Sequence, residues 1–364
     1  MAKFAEVLSI INGRNQSKVE NPNGIYPIYG SGGIMGYADS FLCKANTVVI
    51  GRKGNINKPI FVESPFWNVD TAFGLEANQN MLMPKYLYYF CEQYDFEKLN
   101  TTVTIPSLTK ANLLQIDIPL PPLIKQQEIV EKIDKVAALI SLRKKQLQKL
   151  DDLVKSRFVE MFGDPEHNSK VWPIHPLEKL CTVGSSKRIY QNEQSTKGVP
   201  FWRVSDLVSK IDSGTAESNL FIPEEKYIEL KDAGLVPIAG DILVTSRGTL
   251  GRCYIVKKED RFYFQDGMIS WLSHFSNDIT PLYLQYLLDM PGIKTQIDEM
   301  QAGSTVAYLA LAMLKKLKIM VPDRATQGDF SKIINHIDES KQALQTGLDK
   351  LLQMKQTLMQ KYFG

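Results

Sequence analysis

The sequence contains few residues of the kinds that bind metals or form disulfides. Among 364 residues there are four cysteines and four histidines, and no two cysteines form a CxxC pair. Structural metal sites need cysteine and histidine ligands at short, regular spacing, so we predict that the chain holds no metal. Scattered cysteines of this kind are typical of reduced thiols in a cytosolic protein.

Long apolar runs are also missing. Runs such as residues 47–50 are far shorter than the roughly 20 residues that cross a bilayer. The N-terminal stretch MAKFAEVLSIINGRNQ has no apolar core followed by a small-residue cleavage site, so we expect neither a membrane span nor secretion. Hydrophobic residues at 44% and charged residues at 23% are typical of globular domains, which excludes a mainly disordered chain.

Signatures of catalysis are absent as well. The glycine-rich segment YGSGGIMG (Tyr29 to Gly36) lacks the Gly-Lys-Ser/Thr ending of a phosphate-binding loop, and we predict a turn or bulge there. We find no Asn/Asp-Pro-Pro-Tyr-like segment for base methylation and no nuclease-like Asp…Glu-x-Lys cluster. The net charge of +3 is too small to diagnose nucleic-acid binding. Together these absences favour a binding protein without catalytic residues.

The sequence instead repeats itself. Pro121 and Pro322 are 201 positions apart, and this offset aligns about sixty residues without a gap, from Thr104 to Gly163 in the first copy. Upstream the similarity is looser, and NTVVIGRKGNIN (46–57) resembles DILVTSRGTLGR (241–252) once a gap is allowed. One architecture has therefore been used twice, and its front part has diverged.

Each copy ends in a segment with an apolar residue at alternating steps of four and three, the heptad pattern of a coiled coil. The seam consists of Ile129, Ile133, Val136, Ile140, Leu147, Leu150 and Val154 in the first copy, and of Phe330, Ile334, Ile337, Leu344, Leu348, Leu351 and Leu358 in the second. Arg143 and Arg157 interrupt the first seam, and Lys341 and Lys355 the second. We predict that the two helices pack on each other, with the polar positions choosing partner and register. The alternative is two unrelated helices, each packed on its own domain.

The front parts combine short β-rich runs, glycine and proline turns, and helices predicted at 83–99 and 280–297. We therefore predict an α+β protein with a pseudo-twofold internal repeat. In it, two globular domains alternate with two long helices that pair as an antiparallel coiled coil. The predicted boundaries are 1–121 and 164–322 for the domains, and 122–163 and 323–364 for the helices.

The candidate binding residues lie in polar loops that recur in both copies. Arginine can fork onto guanine edges or phosphates, glycine allows close approach to a phosphate, and hydroxyl-rich turns suit phosphate contacts. The candidates are Arg52, Lys53, Lys58, Thr104 and Lys110 in the first copy, and Arg203, Arg247, Arg252, Ser304 and Thr305 in the second. The alternatives are ordinary hairpins with solvated basic residues, and loops that only cap helices.

This organisation resembles the specificity (S) subunit of type I restriction-modification systems. IDIPLPPLIKQQEIVEKID (116–134) is similar to the family's start of the central helix, and KLDDLVKSRFVEMFGDP (149–165) to its end. SRGTLG and GRKGNI look like a strand-loop signature of the family's target recognition domains. The start of the second helix departs from the pattern, because MVPDRATQGDF lacks the double proline.

The resemblance implies a division of labour. Each target recognition domain would read one half of a bipartite site in double-stranded DNA. The helices would set the spacer and dock two methyltransferase (M) subunits, and restriction (R) subunits would join through the complex. The chain itself would bind no cofactor, because S-adenosylmethionine and ATP with magnesium would belong to partners that methylate adenine or cleave DNA. Its place would be the cytoplasm of a prokaryotic cell.

Two rival interpretations remain open at this point. One is a DNA methyltransferase or nuclease with unrecognised motifs, which binding of S-adenosylmethionine by the isolated chain would favour. The other is a coiled-coil scaffold that binds only protein, which the lack of any sequence-dependent DNA contact would favour.

Overall fold

The computed structural model describes residues 1–99, 107–301 and 308–364. Three predicted binding residues, Thr104, Ser304 and Thr305, lie outside the described residues. The chain divides into two compact units, of which the first comprises Met1–Leu147 with Ala343–Gly364 and the second Gln148–Gln342. Each unit therefore contains one globular part and one part of each long helix.

The described strands of the first unit form three sheets. They are β1 (Ala2–Lys3), β2 (Leu8–Asn12), β3 (Tyr26–Gly30), β4 (Gly33–Ala38), β5 (Thr47–Gly51), β6 (Ile60–Val62), β7 (Trp67–Asn68), β8 (Ala72–Ala77) and β9 (Asp117–Ile118). An antiparallel sheet has the order β2-β8-β5-β6, a second sheet has the order β4-β3-β7, and β1 pairs with β9. Strand β7 runs parallel to β3.

The helices of the first unit are α1 (Phe4–Val7), α2 (Pro84–Gln93), α3 (Lys110–Leu114) and the first part of α4 (Leu123–Phe162). Helix α2 begins with a proline, whose fixed φ and missing N–H suit the first helical position. The predicted helix at 83–99 thus exists, but it consists of α2 followed by a separate 3₁₀ turn at Phe96–Leu99.

The second unit repeats this sheet order strand for strand. Its strands are β10 (Ile174–Pro176), β11 (Thr182–Gly184), β12 (Val199–Trp202), β13 (Phe221–Ile222), β14 (Ile242–Thr245), β15 (Cys253–Ile255), β16 (Tyr263–Phe264), β17 (Ile269–Ser273) and β18 (Lys318–Met320). Their sheets are β11-β17-β14-β15, β13-β12-β16 and β10-β18. Even the parallel pair recurs, between β12 and β16. The α+β class and the internal repeat that the sequence predicts are confirmed.

The helices of the second unit show where the two copies differ. They are the last part of α4, α5 (Val204–Ser213), α6 (Glu224–Asp232), α7 (Pro281–Leu288), α8 (Pro291–Gln301), α9 (Leu311–Lys316) and the first part of α10 (Arg324–Phe363), with 3₁₀ turns at Leu177–Lys179 and Gln191–Glu193. Helix α5 lies between β12 and β13, where the first unit has only a tight turn between β3 and β4. The predicted helix at 280–297 is interrupted before Pro291, because proline lacks the N–H that would continue the hydrogen-bond ladder.

Within each unit the two long helices pack together and run antiparallel. In the first unit, Ile129 and Ile133 near the start of α4 share a core with Met359 near the end of α10. In the second, Phe158 near the end of α4 shares a core with Phe330 near the start of α10. The last residue of each long helix is a phenylalanine that packs on a tyrosine of its unit. Phe363 of α10 contacts Tyr86 of α2 with ring centroids 4.9 Å apart, and Phe162 of α4 contacts Tyr283 of α7 with centroids 4.7 Å apart.

The other predicted seam residues also lie at these contacts. In the first unit Val136, Ile140 and Leu348 form a buried cluster, against which Leu147, Leu351 and Leu358 pack. In the second unit Val154, Ile334 and Ile337 are buried and Leu150 packs against them. Leu344 is half-buried.

The lysines that interrupt the second seam have acidic partners. Nζ of Lys341 lies 2.6 Å from a carboxylate oxygen of Asp151, on α4. Nζ of Lys355 lies 2.9 Å from a carboxylate oxygen of Glu92, on α2. Each lysine is therefore paired within its own unit.

A buried glutamine fixes the start of each long helix. The Gln126 side chain is 0% exposed, and its Oε1 accepts a hydrogen bond from the Met83 N–H at 2.9 Å. Its Nε2 donates to the carbonyl oxygens of Met81 and Pro121, both at 2.8 Å. Gln327 is also 0% exposed and makes the equivalent bonds around Thr280, at the start of α7. The missing double proline therefore leaves this arrangement intact.

The four cysteines lie in the interior as free thiols. Burial raises the pKa of the Cys43 and Cys181 thiols to about 12, so both are protonated at neutral pH. No helix among the described residues is long and apolar enough to cross a membrane.

We expect Gln126→Leu to lower the free energy of unfolding by about 2–4 kcal/mol, because it leaves one N–H and two carbonyl groups buried without partners. Urea unfolding followed by circular dichroism measures the change. Gln127→Leu is the matched control, since Gln127 is exposed and its side chain donates along its own helix to Glu131. This control should change stability by less than about 0.5 kcal/mol. Equal effects of the two substitutions would contradict the role given to Gln126.

Candidate nucleic-acid interface

The first basic loop, Gly51 to Lys58, follows β5 and is held by backbone hydrogen bonds on both sides. The Arg52 N–H donates to the Thr71 carbonyl at 2.8 Å, and the Arg52 carbonyl accepts from the Leu108 N–H at 2.9 Å. The side chains of Arg52, Lys53 and Lys58 are all exposed. The backbone is thus fixed while three cations face solvent, as phosphate contacts require.

Lys110 lies close to the same loop. Lys110 is the first residue of α3, and its Nζ donates to the Ile10 carbonyl of β2 at 2.8 Å. Arg52 and Lys110 both line a cavity of about 270 Å³, together with Phe73 and Thr109. The Arg52 guanidinium carbon lies 5.7 Å from the centroid of the Phe73 ring. Two predicted binding residues that are distant in sequence therefore face one depression.

The second basic loop, Ser246 to Arg252, has the same backbone frame. The Ser246 N–H donates to the Met268 carbonyl at 2.9 Å, and the Ser246 carbonyl accepts from the Leu309 N–H at 3.0 Å. Ser246 thus occupies the place of Arg52. Lys53, which bridges to Ser107, is the counterpart of Arg247, which bridges to Tyr308. From the sequence alone, either Arg52 or Lys53 could align with Arg247. The backbone pairing shows that Lys53 is the counterpart.

Arg247 is exposed but held on an aromatic ring. Its guanidinium carbon lies 5.1 Å from the centroid of the Tyr308 ring, within the range of a cation–π contact. Such a contact orients the planar guanidinium before it meets a partner, and its five N–H donors remain the groups that fork onto base edges or phosphates. Tyr308 follows the hydroxyl-rich segment of the second copy, and no local sequence pattern links it to Arg247.

Arg252 points elsewhere. One of its terminal nitrogens lies 2.6 Å from a carboxylate oxygen of Asp212, on α5. The hydrogen bond from Arg252 also lowers the pKa of the Asp212 carboxyl, which keeps this partner ionised. The pair joins the second basic loop to α5. Its residues are 40 positions apart, and no local sequence motif predicts the contact.

Arg203 marks the start of α5. Its backbone N–H donates to the Asp206 carboxylate at 2.8 Å, and its Nε lies 3.6 Å from the same oxygen. The Arg203 side chain is 45% exposed. Trp202 pairs with Phe264 as Tyr29 pairs with Asn68, so Arg203 occupies the position that Gly30 has in the first unit.

An acidic group with one histidine lies after α4. Asp164, Glu166 and His167 have potential ligand atoms within 4.8 Å of one another. The Asp164 carboxylate already accepts hydrogen bonds from the Glu166 N–H and from Nδ1 of His167, and the latter contact raises the pKa of the imidazole. A local turn accounts for this arrangement, and the sequence prediction of no metal stays a prediction.

Comparison with known proteins places the whole chain in context. A protein of Haemophilus influenzae assigned as a type I restriction enzyme specificity subunit is 28% identical, over 98% of this chain and 92% of that protein. The specificity subunit of a type I restriction enzyme of Methanocaldococcus jannaschii is 25% identical, over 81% and 70%. The crystal structure of the S subunit of a type I restriction-modification system from M. genitalium shares the fold. It has a TM-score of 0.60 at 18% identity, over 100% of this chain and 95% of that one.

The family model of the type I restriction modification DNA specificity domain matches residues 1–152 and 170–354. These ranges include both basic loops, both buried glutamines and most of both long helices. The chain therefore belongs to the family of type I restriction-modification DNA specificity proteins.

Proposed function

We propose that the chain is the DNA sequence-recognition subunit of a type I restriction-modification complex. Each globular domain, 1–121 and 164–322, reads one half of a bipartite site in double-stranded DNA. The helical regions, 122–163 and 323–364, set the spacer and dock two methyltransferase subunits. Restriction subunits join through this complex. The observation that carries the proposal is the recurrence of an exposed basic loop on the same backbone frame in both units.

The loops suit this role because they separate positioning from reading. In each loop one N–H and one carbonyl are used internally, so the turn keeps its shape when a ligand arrives. Lys53 and Arg247 sit at equivalent places and face solvent. We propose that these two residues approach base edges, whereas Lys58, Lys110 and Arg203 contact phosphates. We assign Arg252 the task of holding α5 beside its loop. Thr104, Ser304 and Thr305 stay predicted phosphate contacts.

The long helices suit the role of a spacer. Each runs for 40 residues, about 60 Å at about 1.5 Å per residue. One turn of duplex DNA is about 34 Å long, so the length is adequate for half-sites on successive turns. Polar and exposed positions on both helices leave surface for partner subunits.

In this proposal the chain supplies specificity and the partners supply the chemistry. S-adenosylmethionine would be bound by the methyltransferase subunits, and ATP with magnesium by the restriction subunits. The complex would act on DNA in the cytoplasm of a prokaryotic cell. A chain that bound S-adenosylmethionine alone would favour the rival assignment as a methyltransferase.

Mapping methylated adenines in cells that contain this protein and its methyltransferase should reveal a bipartite motif with a fixed gap. Exchanging residues 1–119 for the equivalent segment of a relative should then change one half-site only, because each unit carries its own loop. A simultaneous change in both half-sites would contradict independent reading.

Arg247→Ala should weaken binding by about 1–3 kcal/mol and relax the preference at one base pair of the second half-site. Fluorescence anisotropy with a panel of single-base variants measures both effects. Arg261→Ala is the matched control, because the Arg261 guanidinium carbon lies 4.9 Å from the Tyr227 ring centroid but Arg261 follows β15, whereas the second basic loop precedes it. Uniform weakening with a salt slope reduced by about one would show a phosphate contact instead of base reading.

Inserting one heptad in each helix should lengthen the gap between the half-sites by roughly three base pairs, since it adds about 10 Å of helix and DNA rises about 3.4 Å per base pair. The insertions belong opposite each other, after Leu147 in α4 and after Gln342 in α10, near the pair Lys341–Asp151. Both seams keep their period of seven. Methylation mapping measures the gap, and an unchanged gap with full activity would contradict the spacer role. An insertion in one helix alone is the control and should abolish activity.

A further inference from the structure

The hairpin of β3 and β4 ends in a tight tip, Gly30 to Met35. Strand pairing closes at Gly30 opposite Gly33, so that only Ser31 and Gly32 form the turn. Gly33 has φ +124°, a backbone conformation that favours glycine. The turn is therefore as short as a two-stranded ribbon allows.

A β-bulge turns two consecutive apolar side chains outward at this tip. Ile28 pairs with Gly36 and Tyr29 with Ile34, so Met35 is an extra residue without an opposite partner. Side chains normally alternate between the faces of a sheet, but here Ile34 is 56% exposed and Met35 is 62% exposed. A Cβ on Gly30 would lie 2.6 Å from Sδ of Met35, so the Met35 side chain lies over Gly30 at the tip.

The tip lies against the first basic loop. A Cβ on Gly51 would be 3.0 Å from Cβ of Ser31, so the Ser31 side chain lies close to the start of this loop. Both segments are also held by one turn, because the Val69 N–H donates to the Tyr29 carbonyl at 3.0 Å and the Arg52 N–H to the Thr71 carbonyl at 2.8 Å. An apolar pair and a set of exposed cations therefore share one rigid support.

Double-stranded DNA matches this combination of groups. Its phosphates attract the cations of the basic loop, and its major groove admits a two-stranded β-ribbon. The apolar group on the major-groove edges of the base pairs is the C5-methyl of thymine. Resting on the function proposed above, we propose that Ile34 and Met35 contact a thymine methyl group in the first half-site.

The described residues of the second unit do not form such a tip. Arg203 stands where the first unit has Gly30, and α5 replaces the tight turn. The first domain therefore reads a methyl group by apolar contact, whereas the corresponding place in the second domain offers a guanidinium. This difference confines the expected effect to one half-site.

The test uses the full chain with its methyltransferase subunit, bound to duplexes that carry the mapped site. Uracil replaces each thymine of the first half-site in turn, which removes only the C5-methyl group. At one position uracil should weaken wild-type binding about fourfold, the factor expected for one methyl taken out of an apolar contact. Ile34→Ser should weaken binding to thymine DNA by about the same factor, and on the uracil duplex the variant and the wild type should nearly agree.

Ile25→Ser is the matched control. Ile25 precedes β3 at the other end of the same hairpin and is 78% exposed, so its replacement tests exposure without the tip. The control should bind both duplexes like the wild type. Uracil in the second half-site should affect wild type and Ile34→Ser equally.

The tip's role would be overturned by a first half-site without thymine on either strand, by a loss in Ile34→Ser without any response to uracil, or by no response to either change. If the wild type bound mapped and scrambled DNA equally, the proposed function itself would fail. Sequence-specific binding by Ile34→Ser with an unchanged uracil response would overturn only the tip.

Discussion

Each globular part of this protein is joined to a long helix by one buried glutamine. Gln126 and Gln327 satisfy three backbone groups apiece, and those groups belong to the start of the long helix and to the loop before α2 or α7. A buried amide that is fully bonded is stable, whereas a shifted helix would leave it unpaired in an apolar core. The direction in which each helix leaves its domain depends on this contact. The orientation of that domain's basic loop relative to its helix therefore depends on it too.

The polar residues of the seam act mainly on specificity. Lys341 and Asp151 are 27% and 51% exposed, and an ion pair so accessible adds little stability. A shifted register would instead place a lysine against apolar residues without its carboxylate, which is costly. Arg143 lies beside Gly347, since a Cβ there would be in ordinary contact with its Nε at 3.9 Å. The two helices are thus marked to pair with each other in one register.

Periodic features of the fold were predictable from the sequence, whereas contacts between distant residues were not. The heptad pattern and the offset between Pro121 and Pro322 are local or repeated signals, and the structure confirms the paired helices and the repeat. Pro291 is a local signal for a helix break, but the apolar pattern on both sides of it favoured one continuous helix at 280–297, and that prediction was wrong at this point.

The candidate site was less accessible to sequence reasoning. The basic loops were found because they recur, but their register depends on strand pairing, which made Lys53 the counterpart of Arg247. The pair of Arg252 with Asp212 and the ring beneath Arg247 depend on how segments far apart in the chain meet. The segment YGSGGIMG predicted a turn or bulge, and the structure contains both. The pattern did not predict that the bulge exposes Ile34 and Met35.

The chain segments that make up each unit also determine the order in which the units can fold during synthesis. The second unit is one continuous segment, Gln148–Gln342, and can close its core as soon as that segment has left the ribosome. The first unit must wait for Ala343–Gly364, because Met359 and Phe363 complete its core. Until then Val136 and Ile140 lack Leu348 as a partner. The part of the chain that is made first is therefore the last to reach its native state, and in the nascent protein the apolar residues at the start of α4 stay uncovered until the end of α10 has been made.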